Sequence, residues 1–236
     1  MYINKNLQEI AYDYLMEKIM NEELSNDEIY SEEKIAQELG ISRSPVRAAL
    51  QRLNHDNYID IIPYKGFKLH EVTMNDIIQT YQLRCAMEGY CCRYIARKHN
   101  TKEGVAVINQ LKKILAELSN IYEKHKIILN SGEQCEKKEE IKINEFLEAD
   151  LQFHKTIVEF ADNEVFNSTF NSYVNTIRFL ARSYYKSVMH RTIEEHRNIV
   201  EALEKGDEIG SFNSLEKHMG TPTGLYLERF NTNLDI

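Results

Sequence analysis

Breakers of regular structure are scarce in this chain, with 3 prolines and 9 glycines in 236 residues. Little therefore stops a helix, and most of the chain repeats its apolar residues at the helical period. One stretch departs from it: YIDIIPYKGFKLHEV, residues 58–72, in which two short β-prone runs flank Pro63-Tyr64-Lys65-Gly66. Turn residues between two such runs predict a small hairpin. The chain is thus expected to be mainly α, with a single two-stranded ribbon.

Before the ribbon the periodicity predicts helices over 6–22, 32–39 and 43–55. Ser31 and Ser42 stand as N-caps, Gly40 closes the second helix, and Pro45 falls in a first turn, where its missing N–H costs little. Thr73 with Asp76 three residues later reads as a new N-terminal cap, which places a domain boundary between residues 72 and 73. Beyond it, helices are expected over 74–99, 102–129, 138–162, 164–189, 191–205 and 208–230. The second and third of these are joined by the polar connector NSGEQCEKKEE.

The chain carries a net charge of −8. Yet between Glu38 and Asp56 its charged side chains, His55 aside, are all arginines: Arg43, Arg47 and Arg52. On a helical wheel Val46, Ala49, Leu50 and Leu53 share one side, while Ser44, Arg47 and Gln51 share another, with Arg43 at the border. Helix, turn at Leu39-Gly40-Ile41, helix and hairpin is the order of a winged helix-turn-helix, whose second helix enters the major groove. Arginine there can pair with phosphates or fork onto guanine. A helix face that is merely solvated is the competing reading.

No apolar run of signal-peptide or membrane-span length occurs, so a cytoplasmic protein without membrane contact is expected. Cys85, Cys91, Cys92 and Cys135 form no CxxC pair and read as reduced structural thiols.

The stretch SEEKIAQELGISRSPVRAALQRLNHDNYIDIIPYKGFKL resembles the DNA-binding domain of the GntR family of bacterial transcription regulators. The resemblance implies that Ser42, Arg43, Ser44 and Arg47 face an operator, and that Gly66 and Lys65 of the wing approach the minor groove. Glu33 stands where the family usually has arginine.

Residues 77–219 resemble the all-helical FCD effector domain of the FadR-type branch. They carry R-x-x-x-E at Arg84 and Glu88, D-x-x-x-H at Asp150 and His154, E-H-R at Glu195 to Arg197, and K-H at Lys217 and His218. Asp150 and His154, one helical turn apart, can chelate an ion by spacing alone. The resemblance adds His196 and His218 and implies one divalent metal ion, zinc first, with nickel or manganese also suited to a carboxylate and three imidazoles. It places Arg84 in the same cavity as a holder of a carboxylate effector, with Asn175 and Arg178 as further lining candidates. Gly220, Pro222 and Gly224 follow the last ligand where the family carries a continuous helix.

These residues predict two domains, a winged helix-turn-helix over 1–72 and an all-helical effector-binding and dimerisation domain over 73–236. The function expected is a homodimeric regulator, in the repressor sense, that binds palindromic double-stranded DNA and senses a small organic acid at a metal site. A metal-dependent hydrolase with a DNA-targeting head is the rival from another class, since an open His/Asp site can activate water. A regulator of the same family without bound metal is a third reading.

Overall fold

A computed structural model describes residues 6–20, 23–71, 73–130, 136–182 and 185–232. The chain divides into two compact units, Met1–Val72 and Thr73–Ile236.

In the first unit, α1 (Leu7–Met20), α2 (Glu32–Leu39) and α3 (Arg43–His55) precede strands β1 (Ile59–Ile62) and β2 (Gly66–Leu69). Both ends of α2 are fixed by sequence. The Ser31 hydroxyl accepts the Glu33 N–H, and Gly40 takes a left-handed conformation with φ 65°. That conformation costs glycine nothing and aims the chain into α3. Ala11, Leu15, Ile35, Val46, Leu50, Leu53 and Phe67 close the core.

The two strands pair antiparallel in the register Ile59 with Leu69 through Ile62 with Gly66. Tyr30, just before α2, exchanges both backbone hydrogen bonds with Phe67, at 2.7 and 2.9 Å. Gly66 is glycine for a local reason: its φ is +133°, and a Cβ there would lie 2.0 Å from the Tyr30 carbonyl oxygen. The wing is thereby seated on the segment that leads into α2.

In the second unit, α4 (Met74–Arg97) starts at a complete capping box, in which Thr73 and Asp76 satisfy each other's backbone N–H groups. It is followed by α5 (Lys102–Asn130), α6 (Glu136–Glu159), α7 (Glu164–Arg182), α8 (Tyr185–Glu204) and α9 (Glu208–Thr232). α9 packs on α4 and α8, and α5 packs on α6 and α8.

Two sequence expectations change here. α7 is described to Arg182 and α8 from Tyr185, where the sequence predicts one helix running to 189 and the next starting at 191. The buried stripe Val188, Met189, Thr192, Ile193 and His196 continues one helical face back through the expected break, and no glycine or proline interrupts it. α9, for its part, runs through Gly220 and position 222 as the continuous helix usual in the family, although Pro222 has no N–H to offer the His218 carbonyl. Leu215, Met219 and Thr221 hold this segment by burial on both sides of His218.

Cys85, Cys91 and Cys92 are free and buried, and Cys135 lies outside the described residues. No helix among the described residues is long and apolar enough to cross a membrane.

Candidate metal centre and nucleic-acid face

Three helices of the second unit aim four polar side chains at one buried point. Asp150 and His154 come from one face of α6, His196 from α8 and His218 from α9. One donor atom from each lies within 4.8 Å of the others. The three Nε2 atoms converge: His154 to His218 at 3.1 Å and His196 to His218 at 3.3 Å. Asp150 Oδ1 sits 3.3 Å from His196 Nε2, and Oδ2 is 4.0 Å from His154 Nε2. His154 and His196 are fully buried, and Asp150 and His218 nearly so.

The outer ring nitrogens decide what these inner ones are. His154 Nδ1 lies 2.6 Å from Glu88 Oε2, and His218 Nδ1 lies 3.0 Å from Glu195 Oε2. Burial alone would push the Glu88 carboxyl up, but the Arg84 guanidinium and then His154 outweigh it and hold it at about 2. Glu195 is likewise lowered against its burial, by its bond to His218 and then by Arg191 and Thr221. Ionised carboxylates only accept, so each Nδ1 carries the hydrogen, and where the ring is neutral its Nε2 presents a lone pair.

Two such lone pairs 3.1 Å apart repel unless a cation lies between them. Protonating His154 or His196 is a poor remedy in this place. Burial lowers His154 below the usual imidazole value, and burial reinforced by the neighbouring imidazoles pushes His196 well below it. Neutral imidazoles with converging lone pairs and an adjacent carboxylate are the donor set of a borderline divalent metal such as zinc, nickel or manganese. The residues therefore fit a metal ion.

Arg84 adjoins this cluster. Its Nε donates to Glu88 Oε1 at 2.7 Å, the helix salt bridge expected from the spacing, while its buried Nη2 has no hydrogen-bond partner. A buried guanidinium nitrogen left unpaired is costly and is available to an anion. Arg178 instead spends its fork on Glu148, at 2.8 and 2.7 Å. The side chain of Asn175, on α7, lies outside the described residues.

Three contributors escaped the sequence reading: Tyr173, whose hydroxyl donates to Glu88 Oε1 at 3.1 Å, Thr221, whose hydroxyl donates to Glu195 Oε1 at 2.8 Å, and Phe153, stacked on the His196 ring at 3.9 Å between centroids. Glu195 was visible beside His196, but nothing in its spacing indicated that it serves His218.

In the first unit, Val46, Ala49, Leu50 and Leu53 bury one side of α3, and Ser42, Arg43, Ser44 and Arg47 stand exposed at its amino end. The Ser42 hydroxyl makes no capping bond. Lys65 is exposed in the turn before β2, and Gly66 opens that strand. Glu32 adds something the composition did not suggest. Its Oε2 accepts from Arg47 Nε and Nη2 at 3.1 and 3.0 Å and lies 3.8 Å from Arg43 Nη2. Arg52 belongs to the fold: its guanidinium covers the Tyr12 ring at 4.0 Å.

Comparison with known proteins agrees with this arrangement. Residues 7–69 match the family of bacterial regulatory proteins called gntR, and residues 79–221 match the FCD domain. The Bacillus subtilis HTH-type transcriptional regulator YdhC is 25% identical over 197 residues, covering 82% of this chain and 79% of its own. A probable D-xylose utilization operon transcriptional repressor from Paenarthrobacter nicotinovorans is 25% identical over 189 residues, 80% of this chain and 74% of its own. Among solved structures, Escherichia coli McbR/YncC superposes with a TM-score of 0.66 at 17% identity, over 96% of this chain and 99% of that one.

Proposed function

The chain belongs to the GntR family of bacterial transcriptional regulators and carries an FCD effector domain, and from that premise we propose that it is a metal-loaded repressor released by a small organic acid. The DNA-binding unit would read a palindromic operator as one half of a homodimer in the cytoplasm, through Ser42, Arg43, Ser44, Arg47, Lys65 and Gly66. Repression is the sense supported by a relative named as an operon repressor. The regulators among its relatives lend no support to the hydrolase reading.

The observation that carries the effector half is the meeting of three Nε2 atoms and the Asp150 carboxylate beside an unpaired Arg84 Nη2. Asp150, His154, His196 and His218 would hold one divalent ion, zinc in the first instance. Such an ion supplies a Lewis-acid centre with positions left for oxygen donors. Arg84 would take the carboxylate that reaches it. An effector can shift the DNA-binding equilibrium only by its difference in affinity for the two arrangements, typically about 1–3 kcal/mol.

Metal analysis and melting test this on protein purified without chelator. About one divalent ion per chain is expected, and His154→Ala should release it and lower the melting temperature, because an ion bound only to the native state stabilises by mass action. Malate, citrate and a sugar acid are then added to metal-loaded and metal-stripped protein, and a rise in melting temperature is expected in the loaded form alone. Protein that purifies without metal and gains no stability from added zinc or nickel would overturn the metal site. Equal shifts in both forms would separate the effector from the metal.

A further inference from the structure

Glu88 and Glu195 sit on different helices, 107 positions apart in the chain, yet they make the same arrangement twice. In each, one carboxylate oxygen is anchored by an arginine and a hydroxyl. For Glu88 these are Arg84 at 2.7 Å and Tyr173 at 3.1 Å; for Glu195 they are Arg191 and Thr221, both at 2.8 Å. The second oxygen is thereby turned onto the Nδ1 of one imidazole, His154 in the first case and His218 in the second. His196, the third imidazole, has no hydrogen-bond partner at Nδ1 and is held by the face of Phe153.

We infer that Glu88 and Glu195, though not ligands, are positioning residues that set the metal affinity of the cluster by fixing His154 and His218 as Nδ1–H tautomers aimed at the ion. This rests on the metal reading above. A neutral imidazole has two tautomers, and only one leaves Nε2 free to bind. An anchored carboxylate excludes the other, because two acceptors cannot face each other across Nδ1. It also makes the ring a stronger donor, since the charge behind the N–H favours positive charge on the imidazole. The anchors matter because a carboxylate free to rotate could satisfy its arginine with both oxygens and leave the histidine unheld.

Glu88→Gln and Glu195→Gln are the direct variants, with Tyr173→Phe and Thr221→Val as milder ones that remove an anchor and keep the charge. Zn(II) affinity is measured by competition with a chromophoric chelator, and Co(II) substitution reads ligand geometry from the visible d–d bands. Loss of either carboxylate should weaken Zn(II) binding about 10- to 100-fold and alter the Co(II) spectrum, as for other residues that orient metal-bound histidines. The anchor variants should fall between these and wild type. If Glu88→Gln does not fold with Arg84 left unpaired, Glu195→Gln carries the measurement, because Arg191 is exposed enough to be solvated.

Long-range 15N–1H correlation spectra of metal-free wild type read the tautomers directly, with Nδ1–H expected for His154 and His218. A purely structural role would lower stability and leave the tautomers, the Co(II) bands and the affinity of folded variants unchanged, and that result overturns the inference. Nε2–H signals from both rings in wild type overturn it as well. Should wild type bind no metal, the reading of the site fails separately, and the tautomer spectra alone decide this inference.

Discussion

Glu32 places a negative charge on the face that the operator would occupy, and neutralising it should tighten DNA binding. Its Oε2 accepts from Arg47 Nε and Nη2 and lies near Arg43. The two arginine side chains are more than half exposed and the Glu32 side chain is 22% exposed, so the contact is a surface ion pair, partly sheltered on the acid side. Such pairs contribute about 0.2–1 kcal/mol, and the shelter argues for the upper part of that range. Arg47 must give up this contact to reach a phosphate or a base, so Glu32→Gln should recover at most that amount on binding. A gain of 1 kcal/mol corresponds to roughly fivefold.

The free protein should lose about 0.5–2 kcal/mol, the sum of the pair and of an acid in the first turn of α2. Fluorescence anisotropy with a labelled duplex of mixed sequence, titrated at several salt concentrations, needs no knowledge of the operator. The logarithmic salt slope should steepen by up to about 0.9, one phosphate equivalent, because Arg47 would no longer arrive already neutralised. In an Arg47→Ala background the same change should have a smaller effect. Weaker binding by Glu32→Gln would refute the argument and show that the carboxylate holds Arg47 ready for DNA. An unchanged slope and affinity would show that this end of α3 does not meet phosphates.

Glu33, the neighbouring departure from the family pattern, is exposed on the first turn of α2. Glu33→Arg should slightly destabilise the free protein by opposing the helix dipole, by about 0.3–1 kcal/mol, and steepen the salt slope of DNA binding by about 0.9; an unaltered slope would remove position 33 from the DNA face. Gly66→Ala would drive a Cβ into the Tyr30 carbonyl and strain a positive φ, so it should lower stability by about 1–3 kcal/mol and weaken DNA binding through a displaced wing. Melting and binding equal to wild type would show that the wing does not need its seat on Tyr30. Arg84→Lys, which keeps the charge but loses the fork, should retain metal and lose most of the thermal shift given by carboxylates, as calorimetry on the zinc-loaded protein would show; an unchanged shift would free Arg84 of the effector role.

Local chemistry made much of the fold legible. Ser31, Gly40 and Thr73 act at helix ends through bonds that span at most five residues, and such signals survive in any tertiary setting. The α7–α8 junction was misplaced because no such signal stands there, and the helix limits are set by what Val188 and Met189 bury against. α9 shows the reverse case. Its Gly220 and Pro222 are local signals against a helix, and burial of Leu215, Met219 and Thr221 overrides them. A helix propensity difference of about 1–3 kcal/mol is of the same order as burying one or two apolar side chains, so tertiary packing can win.

The site divides along the same line. Asp150 and His154 announced themselves through a one-turn spacing, whereas Glu88 reaches His154 across 66 residues and Glu195 reaches His218 across 23. No periodicity encodes such a pairing. What does bear on it is the physical requirement that a buried carboxylate find partners for both oxygens, a requirement that each glutamate meets with one arginine, one hydroxyl and one imidazole. Ionised acids so placed surround His154 and His196, whose protonation burial disfavours. A divalent cation at the convergence of the three Nε2 atoms would bring positive charge among these acids and relieve the lone-pair repulsion, and metal binding and folding of the second unit would then be a single linked equilibrium.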